Sequence, residues 1–261
     1  MRHTLFIIIG TLAALSLQAQ TDSLRMHSTL YGVGAANVYD SYLSPYSYTG
    51  IEARIMRQTQ RQTRLCRRRI TYATEIDFNA AITKSPARNV KTYAAGIRYS
   101  NAWLYNLPRP RQLRLAAGLA ASAYAGCVYN ERNGNNPAQA KADLMIDLTA
   151  QATYPFRVGR RQWTARYRLA VPLCGIAFAP QYGQAYYEIF VQKDYDHNCL
   201  FANFINTPSM RHLLTVDIPL GHNQLRLGYA AEFMQSRWNG LRYHSYSHNF
   251  VIGFTKYFNR K

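Results

Sequence analysis

Hydrophobic and polar residues alternate with a period of two along most of the chain beyond residue 25. Leu144, Ile146 and Leu148 fall on one side of such a segment. Asp147 and Thr149 fall on the other. Because successive side chains of a strand point to opposite faces, this pattern predicts strands with one apolar and one polar face. Ten segments show it, near 27–37, 51–55, 70–79, 93–100, 113–122, 143–154, 164–171, 214–218, 225–233 and 246–258.

The length and composition of these segments favour a barrel that crosses a membrane. Many of them run for about 10 residues or more, which is the length that a tilted membrane strand needs and exceeds that of an average soluble strand. Their polar faces mix charges with Gly, Ser and Ala, and Tyr and Phe cluster near their ends, as at a membrane interface. We therefore expect an all-β, antiparallel, up-and-down transmembrane β-barrel of ten strands. The alternative is a soluble periplasmic β-barrel binding protein, whose apolar faces would point inward.

The N-terminus has the order of features found in a secretory signal peptide. Arg2 and His3 form a short basic head, an apolar run follows at 5–17, and Ala19 offers a small residue for cleavage. We expect residues 1–19 to be removed and residues 20–261 to form a single barrel domain. A buried N-terminal helix is the alternative. The run at 5–17 has 13 residues, and no stretch of 18 apolar residues occurs in the sequence, which excludes a helical membrane protein.

The connections between the segments alternate between the two ends of the expected barrel. One end receives four, at 57–69, 105–112, 157–162 and 219–223, and the other receives five, at 38–48, 80–90, 126–140, 176–208 and 236–243. The five are mostly longer, so we assign them to the cell exterior and the four to the periplasm. The longest connection contains the strand-like run Tyr186–Val191. This run predicts an external hairpin or two additional strands, so a twelve-stranded barrel is the alternative to ten.

Charged residues divide between the polar strand faces and the turns of a chain whose formal net charge is +18. The polar faces receive seven acidic residues and six arginines, namely Glu52, Arg54, Glu75, Asp77, Arg98, Arg114, Asp143, Asp147, Arg166, Arg168, Asp217, Arg226 and Glu232. A ten-stranded barrel has a narrow interior, and arginine binds carboxylates in bidentate fashion. We expect these side chains to form an ion-pair network that fills most of the lumen. A narrow polar pore lined by the same groups is the alternative.

A second set of arginines lies at the expected periplasmic end, in segments that contain no acidic residue. We name this set the basic rim, and it comprises Arg57, Arg61, Arg64, Arg67, Arg68, Arg69, Arg109, Arg111, Arg157, Arg160 and Arg161. We expect the basic rim to attract anionic lipid headgroups, at about 1 kcal/mol for each cation near the surface. The alternative is a docking surface for an acidic periplasmic partner. We expect no nucleic-acid partner, because the chain carries an export signal and the arginines lie on turns.

The segment 244–249 brings histidine and serine close together in sequence. Period two places Ser245 and Ser247 on one face of a strand and His244 and His248 on the other, so that sequence neighbours cannot form a nucleophile–base pair. We therefore expect the protein not to be an enzyme. An outer-membrane lipid-modifying or lipopolysaccharide-modifying enzyme is the alternative.

The cysteines lack the spacing of a metal site. Cys66, Cys127, Cys174 and Cys199 form no paired motif with one another or with histidine, so we expect neither a metal nor a cofactor. An external disulfide such as Cys174–Cys199 and four free thiols are the two alternatives in an oxidising compartment.

The C-terminal part of the chain resembles known exported proteins. Phe254 and Phe258 end the apolar row of the last segment, which resembles the signature through which outer-membrane barrels contact their assembly machinery. The segments YGQAYYEIF (182–190), SMRHLL (209–214), DIP (217–219) and HNFVIG (248–253) together resemble an uncharacterised family of exported outer-membrane β-barrel proteins of Bacteroides- and Prevotella-type bacteria, a domain of unknown function. The resemblance implies an outer-membrane protein in contact with lipid and brings no catalytic residues. Structural, surface-interaction and narrow-pore transport roles all fit it.

Overall fold

Long antiparallel strands make up most of the computed structural model, which describes residues 24–108, 112–134, 136–221 and 223–259. In chain order the strands are β1 (Leu24–Asp40), β2 (Ser47–Gln62), β3 (Ile70–Lys84), β4 (Lys91–Asn106), β5 (Arg114–Asn130), β6 (Ala138–Val158), β7 (Arg161–Phe178), β8 (Cys199–Asn203), β9 (Met210–Leu220), β10 (Asn223–Trp238) and β11 (Leu241–Asn259). A 3₁₀ turn (Leu65–Arg68) follows β2, and a short helix, α1 (Tyr186–Phe190), precedes β8. Among these residues no helix has the length and hydropathy needed to cross a membrane. The predicted signal peptide, residues 1–19, lies outside the described residues.

The strands pair with their neighbours in sequence and close into a cylinder. β1 pairs with β2 on one side and with β11 on the other, where Leu24 lies opposite Asn259. β8 and β9 share one side of β7, since β8 pairs with residues 174–178 and β9 with residues 164–170. Because these two strands together fill one position in the wall, the closed barrel has ten strand positions, and the predicted fold is confirmed.

The barrel is apolar outside and polar inside. On β2, Ile51 and Ile55 are 66% and 46% exposed, whereas Glu52 and Arg54 are 1% and 4% exposed. A soluble barrel would show the reverse, because burial of apolar side chains stabilises its core. The alternation in the sequence therefore predicts the correct facing, with apolar rows on the outside of the cylinder.

The strands extend further than the alternating segments indicate. Arg57 and Arg61 lie within β2, and β6 and β7 meet at a two-residue turn (159–160) that leaves Arg157 and Arg161 inside strands. The sequence analysis placed all four in connections. Backbone pairing explains the difference, because N–H···O=C bonds between neighbouring strands continue whatever the polarity of the side chains.

One irregularity reverses the direction of side chains within β7. Ile146 pairs with Cys174, but the next residue, Asp147, pairs with Pro172. Leu173 is therefore an extra residue, a β-bulge. Beyond it the facing inferred from parity is inverted, so that Cys174 is exposed on the outside of the barrel.

The long connection after β7, which the sequence analysis assigned to the cell exterior, supplies no additional pair of barrel strands. Its run Tyr186–Val191, which the sequence pattern marks as strand-like, instead begins with α1. Glu188 Oε2 accepts the N–H of Ala185 at 2.9 Å where the helix begins, and the rings of Tyr186 and Phe190 stack at 6.1 Å, one turn apart. These local contacts override the β-propensity of the run. In the described residues the twelve-stranded alternative is wrong.

Candidate functional site

A cluster centred on an arginine fills the middle of the lumen. The guanidinium of Arg54, on β2, lies 3.4 Å from Glu52 and 3.5 Å from Asp77, and it donates a hydrogen bond to Glu232 on β10. The arginine side chain is 3% exposed. Charge pairing of this kind offsets the desolvation of the individual ions. The cluster connects three strands through the interior of the barrel.

Arg98 on β4 extends this cluster towards the opposite wall. Its guanidinium lies 3.5 Å from both Glu232 and Asp143, the latter on β6. The same group lies 4.6 Å from the ring centroid of Tyr124, in cation–π geometry. The cross-section at this level is therefore occupied by side chains from at least five strands.

A second contact spans strands that are four positions apart in the wall. Arg168 on β7 donates to Glu75 on β3 at 3.0 Å, and Gln58 donates to the same carboxylate at 2.6 Å. Asn249 and Asn79 bring further amides to Glu52, at 2.7 and 3.3 Å. Charges and amides thus form one continuous polar layer.

Asp217 on β9 anchors the part of the network nearest the basic rim. It accepts two hydrogen bonds from Arg226, at 2.5 and 2.8 Å, and one from Arg166 at 2.8 Å. Arg166 also donates to the hydroxyl of Tyr257 at 2.7 Å. The carboxylate therefore holds two guanidinium groups, and one of them is tied to the last strand.

Two ion pairs inside the barrel involve residues that the sequence analysis did not select. Arg211 lies 2.5 Å from Asp147, and Lys141 lies 2.9 Å from Asp40 and 4.0 Å from the ring centroid of Tyr243. The alternation in the sequence does indicate that both cations face inward. Arg211 is an even number of residues from the inward-facing Asp217 on the same strand, and Lys141 is an even number of residues from the inward-facing Asp147. Extending each alternating segment by a few residues would have found both cations.

Arg114 is separated from the network that it was expected to join. It faces the lumen by register but is the first residue of β5, and its side chain is exposed. No carboxylate pairs with it among the described residues. The carboxylates lie deeper in the barrel, so this arginine stands at the mouth of the lumen.

Apolar side chains also reach the interior, which the sequence analysis did not expect. Leu30, Met56, Leu213 and Val251 pack together and are at most 8% exposed. They come from strands whose remaining inward positions are mostly polar or glycine. Packing of this kind removes water from around the ion pairs and strengthens them.

The end of the lumen opposite the basic rim is covered by the long connection after β7. Ile189 of α1 is 1% exposed. The hydroxyl of Tyr42 donates to the carbonyl of Gln184 at 2.8 Å, and the hydroxyl of Tyr186 accepts the N–H of Ala140 at 2.7 Å. Burial raises the pKa of Tyr186, so this hydroxyl stays neutral. We name this cover, residues 179–198, the external seal.

The other end of the lumen opens into a cavity of about 420 Å³, which we name the vestibule. Gln60 donates to Gln151 at 2.8 Å across its inner end, next to the contact between Arg166 and Tyr257. Arg114 lies among the residues that line its wall. The barrel is therefore closed at one end and concave and basic at the other.

The described arginines of the basic rim are all exposed, but they do not form one patch. They are Arg57, Arg61, Arg64, Arg67, Arg68, Arg69, Arg157, Arg160 and Arg161, while Arg109 and Arg111 lie outside the described residues. Arg61 stacks over Tyr72 on the outer face at 5.0 Å, and Arg69 donates to the hydroxyl of Tyr105 at 3.0 Å. These cations therefore divide between the outer surface and the turns around the vestibule.

The serine and histidine residues of segment 244–249 lie on opposite faces of β11. Ser247 is 2% exposed inside the barrel. His248 is exposed outside and shares a hydrogen bond with Tyr229, and His244 lies 2.7 Å from the amide oxygen of Asn37. No hydroxyl–imidazole pair of this segment has the contact that nucleophilic catalysis requires.

All four cysteines are exposed free thiols. Cys199 pairs with Phe178 and Cys174 pairs with Asn203, so the two cysteines lie four residues apart along the β7–β8 ladder. This offset corresponds to roughly 13 Å at the rise of a strand, beyond the reach of a disulfide. Within the residues that the structure covers, no group of three His, Cys, Asp or Glu side chains is placed to hold a metal ion.

The chain is similar in structure to several solved outer-membrane proteins at low sequence identity. The outer membrane protease OmpT from Escherichia coli matches with a TM-score of 0.47 and 9% identity over 91% of this chain and 97% of the protease. The translocator domain of the autotransporter NalP from Neisseria meningitidis matches with a TM-score of 0.41 and 10% identity, over 95% and 97%. The β-domain of the Bordetella autotransporter BrkA matches with a TM-score of 0.41 and 11% identity, over 89% and 99%.

No curated protein has a matching sequence. A family model described as "Protein of unknown function (DUF3316)" matches residues 4–260, and the chain therefore belongs to this family.

Proposed function

We propose that this protein is an outer-membrane β-barrel of a Gram-negative bacterium with a lumen closed to ions and solutes, and that it acts through its surfaces. The observation that carries the proposal is the set of ion pairs that join strands across the lumen. Arg54 with Glu232 and Arg168 with Glu75 bridge strands three and four positions apart in the wall. A continuous water channel would require these contacts to separate.

The energy of these contacts opposes spontaneous opening. Removing one partner of a buried ion pair costs about 3–5 kcal/mol, because the other charge is left without compensation. Several such pairs lie one after another along the barrel axis, and the external seal adds a further barrier. This supports a closed lumen over the narrow polar pore that the same residues would otherwise line.

The position of the chain ends supports an orientation with the basic rim in the periplasm. β1 begins and β11 ends at the rim end of the barrel, where the described connections are short. Short turns face the periplasm and longer loops face outside in bacterial barrels of this kind. The apolar outer face then contacts lipid, and β11 presents Phe254 and Phe258 outward, 52% and 50% exposed, for contact with the assembly machinery.

The opposite facing of Ser247 and His248 supports a role that does not involve lipid hydrolysis. A nucleophilic serine needs its base within hydrogen-bond reach. The barrel wall separates these two side chains. We therefore favour a structural or surface-interaction role over an enzyme of the outer leaflet.

Conductance across planar lipid bilayers tests the closed lumen. We expect the purified wild-type barrel to insert and to produce no stable conductance steps. Stable steps of reproducible size from the wild-type protein would overturn the proposal. The same preparation tests the localisation, because a membrane-spanning barrel should be extracted from membranes only when detergent is present.

An opened variant provides the matched control. Arg54→Ser, Arg98→Ser and Glu232→Ser, combined with replacement of residues 181–197 by a short Gly-Ser linker, remove the central cluster and the external seal. We expect this variant to conduct, which shows that open barrels are detected when present. Its folding is checked by the shift in gel mobility between unheated and heated samples.

A further inference from the structure

The vestibule combines a concave shape with unpaired positive charge. Its volume of about 420 Å³ lies in the range of sites that bind small ligands and short peptide segments. Arg68 and Arg114 line it, and no carboxylate does among the described residues. Arg166, which also lines it, is paired with Asp217, whereas Arg68 and Arg114 have no acidic partner among the described residues. The positive charge of these two arginines is therefore available to a ligand.

We propose that the vestibule binds an extended, carboxylate-bearing segment of a periplasmic polypeptide. The strand register supplies the central contact. Arg114 on β5 lies opposite Thr153 on β6, and Thr153 lies opposite Arg166 on β7. Neighbouring strands are about 4.8 Å apart, so the two arginines have Cα atoms about 10 Å apart on the same wall. Arg114 can donate to a carboxylate placed over the threonine hydroxyl. Arg166 already donates to Asp217 and Tyr257, so it adds charge attraction to the same carboxylate without giving up these bonds.

The rest of the lining matches a peptide better than a free inorganic anion. Gln60 and Gln151 line the cavity and hydrogen-bond to each other, and their amides have further donor and acceptor capacity suited to backbone N–H and C=O groups. The buried Oε1 atom of Gln62 has no hydrogen-bond partner in the described structure and can accept a backbone N–H. Leu104 on β4, and Leu107 and Leu113 in the connection that follows it, form an apolar wall beside the arginines. A segment that alternates acidic and apolar residues would satisfy both surfaces.

This inference depends on the proposed function only for placing the vestibule in the periplasm. Binding to the purified, detergent-solubilised barrel does not depend on whether the lumen conducts. Conductance by the wild-type barrel would overturn the closed lumen and would not affect the binding result. Absence of peptide binding would overturn the inference about the vestibule and would not affect the closed lumen.

Fluorescence anisotropy with a labelled hexapeptide of alternating leucine and glutamate tests the site. We expect saturable binding that weakens as salt is added, because salt screens charge attraction. Arg114→Gln should weaken binding about tenfold or more, because it removes a charge-assisted hydrogen bond. The matched control is Arg160→Gln. Arg160 is an exposed arginine of the basic rim, lies in the turn after β6 and does not line the vestibule, so its replacement should change the affinity less than about twofold.

Four results would overturn the proposal. One is the absence of saturable binding, and another is equal binding of the same peptide with glutamine in place of glutamate. The third is an equal loss for Arg114→Gln and Arg160→Gln, which would indicate general attraction to the rim. Displacement of the peptide by inorganic phosphate at the same concentration as by glutamate would also overturn it, in favour of a small-anion site. If Arg114→Gln does not fold, Arg68→Gln in the 3₁₀ turn serves as the second variant, with the same expected direction.

Discussion

Replacing Asp217 by leucine tests whether charge pairing or simple filling of volume stabilises the lumen. The carboxylate accepts hydrogen bonds from Arg226 and Arg166 at distances of 2.5 to 2.8 Å. Leucine has the same number and branching of side-chain heavy atoms and no charge, and its methyl groups keep the site filled. Arg226 is 1% exposed and would keep a buried guanidinium without an anion. The substitution therefore removes the anion without leaving a cavity.

The expected cost follows from the burial of the two arginines. Leaving a buried charge without its partner costs about 3–5 kcal/mol. Most of this falls on Arg226, because the side chain of Arg166 is 19% exposed and keeps its hydrogen bond to Tyr257. The double variant Asp217→Leu with Arg226→Met removes both members of the most buried pair. We expect it to recover most of the lost stability, because an apolar pair of similar volume is often as stable as a buried ion pair.

Urea unfolding of barrels refolded into lipid vesicles measures both variants. The fluorescence of the three tryptophans reports unfolding, and linear extrapolation gives the free energy of unfolding in water. The reasoning is refuted if the single variant loses less than about 1 kcal/mol. It is also refuted if the double variant is less stable than the single one, because the two residues would then contribute independently.

Two further predictions follow from the ends and the seam of the barrel. Cys66 and Cys199 are exposed thiols at opposite ends of the barrel, and they can be compared in a variant in which Cys127 and Cys174 are replaced by serine. A membrane-impermeant maleimide should label Cys199 in intact cells and Cys66 only after the outer membrane is permeabilised. Labelling of Cys66 in intact cells would contradict the orientation. Gly253→Val should prevent closure of the barrel, because a Cβ at this position would lie 1.9 Å from the carbonyl oxygen of Thr29 on β1. Loss of the gel-mobility shift of folded barrels measures this effect, and a normal shift would show that the seam can adapt.

The sequence predicts the fold and the facing of most strands because both depend on a local rule. Alternation with period two determines which side chains point inward once the strand direction is known. Glu52, Arg54 and Glu232 were selected on this basis, and the structure places all three inside the barrel. Their pairing partners could not be predicted, because contact across the lumen depends on strand tilt and stagger, which belong to the closed cylinder as a whole.

The remaining differences arise where local contacts or backbone pairing outweigh the pattern. α1 forms in a run rich in aromatic residues because a side-chain cap and a stacked ring pair stabilise one helical turn. The bulge at Leu173 shifts the large hydrophobic residues of β7 from odd positions, such as Leu169 and Val171, to even positions, such as Ile176, but this shift lies beyond the segment 164–171 in which the alternation was recognised. Arg211 and Lys141 were missed because the alternating segments were ended too early. The vestibule was not predicted because a cavity depends on the shape of the whole barrel end.

The division of one wall position between β8 and β9 leaves a short interruption beside β7. Residues 171–173 of β7 pair with neither strand, and Pro172 among them lacks an N–H group. The chain between the two strands crosses this place with Ile205 89% exposed. A cylinder gains stiffness from an unbroken ladder, so the wall bends most easily at this interruption. One backbone hydrogen bond, from Phe204 to the carbonyl of Leu173, bridges the interruption, and we expect the wall to open locally more easily here than where its ladder is unbroken.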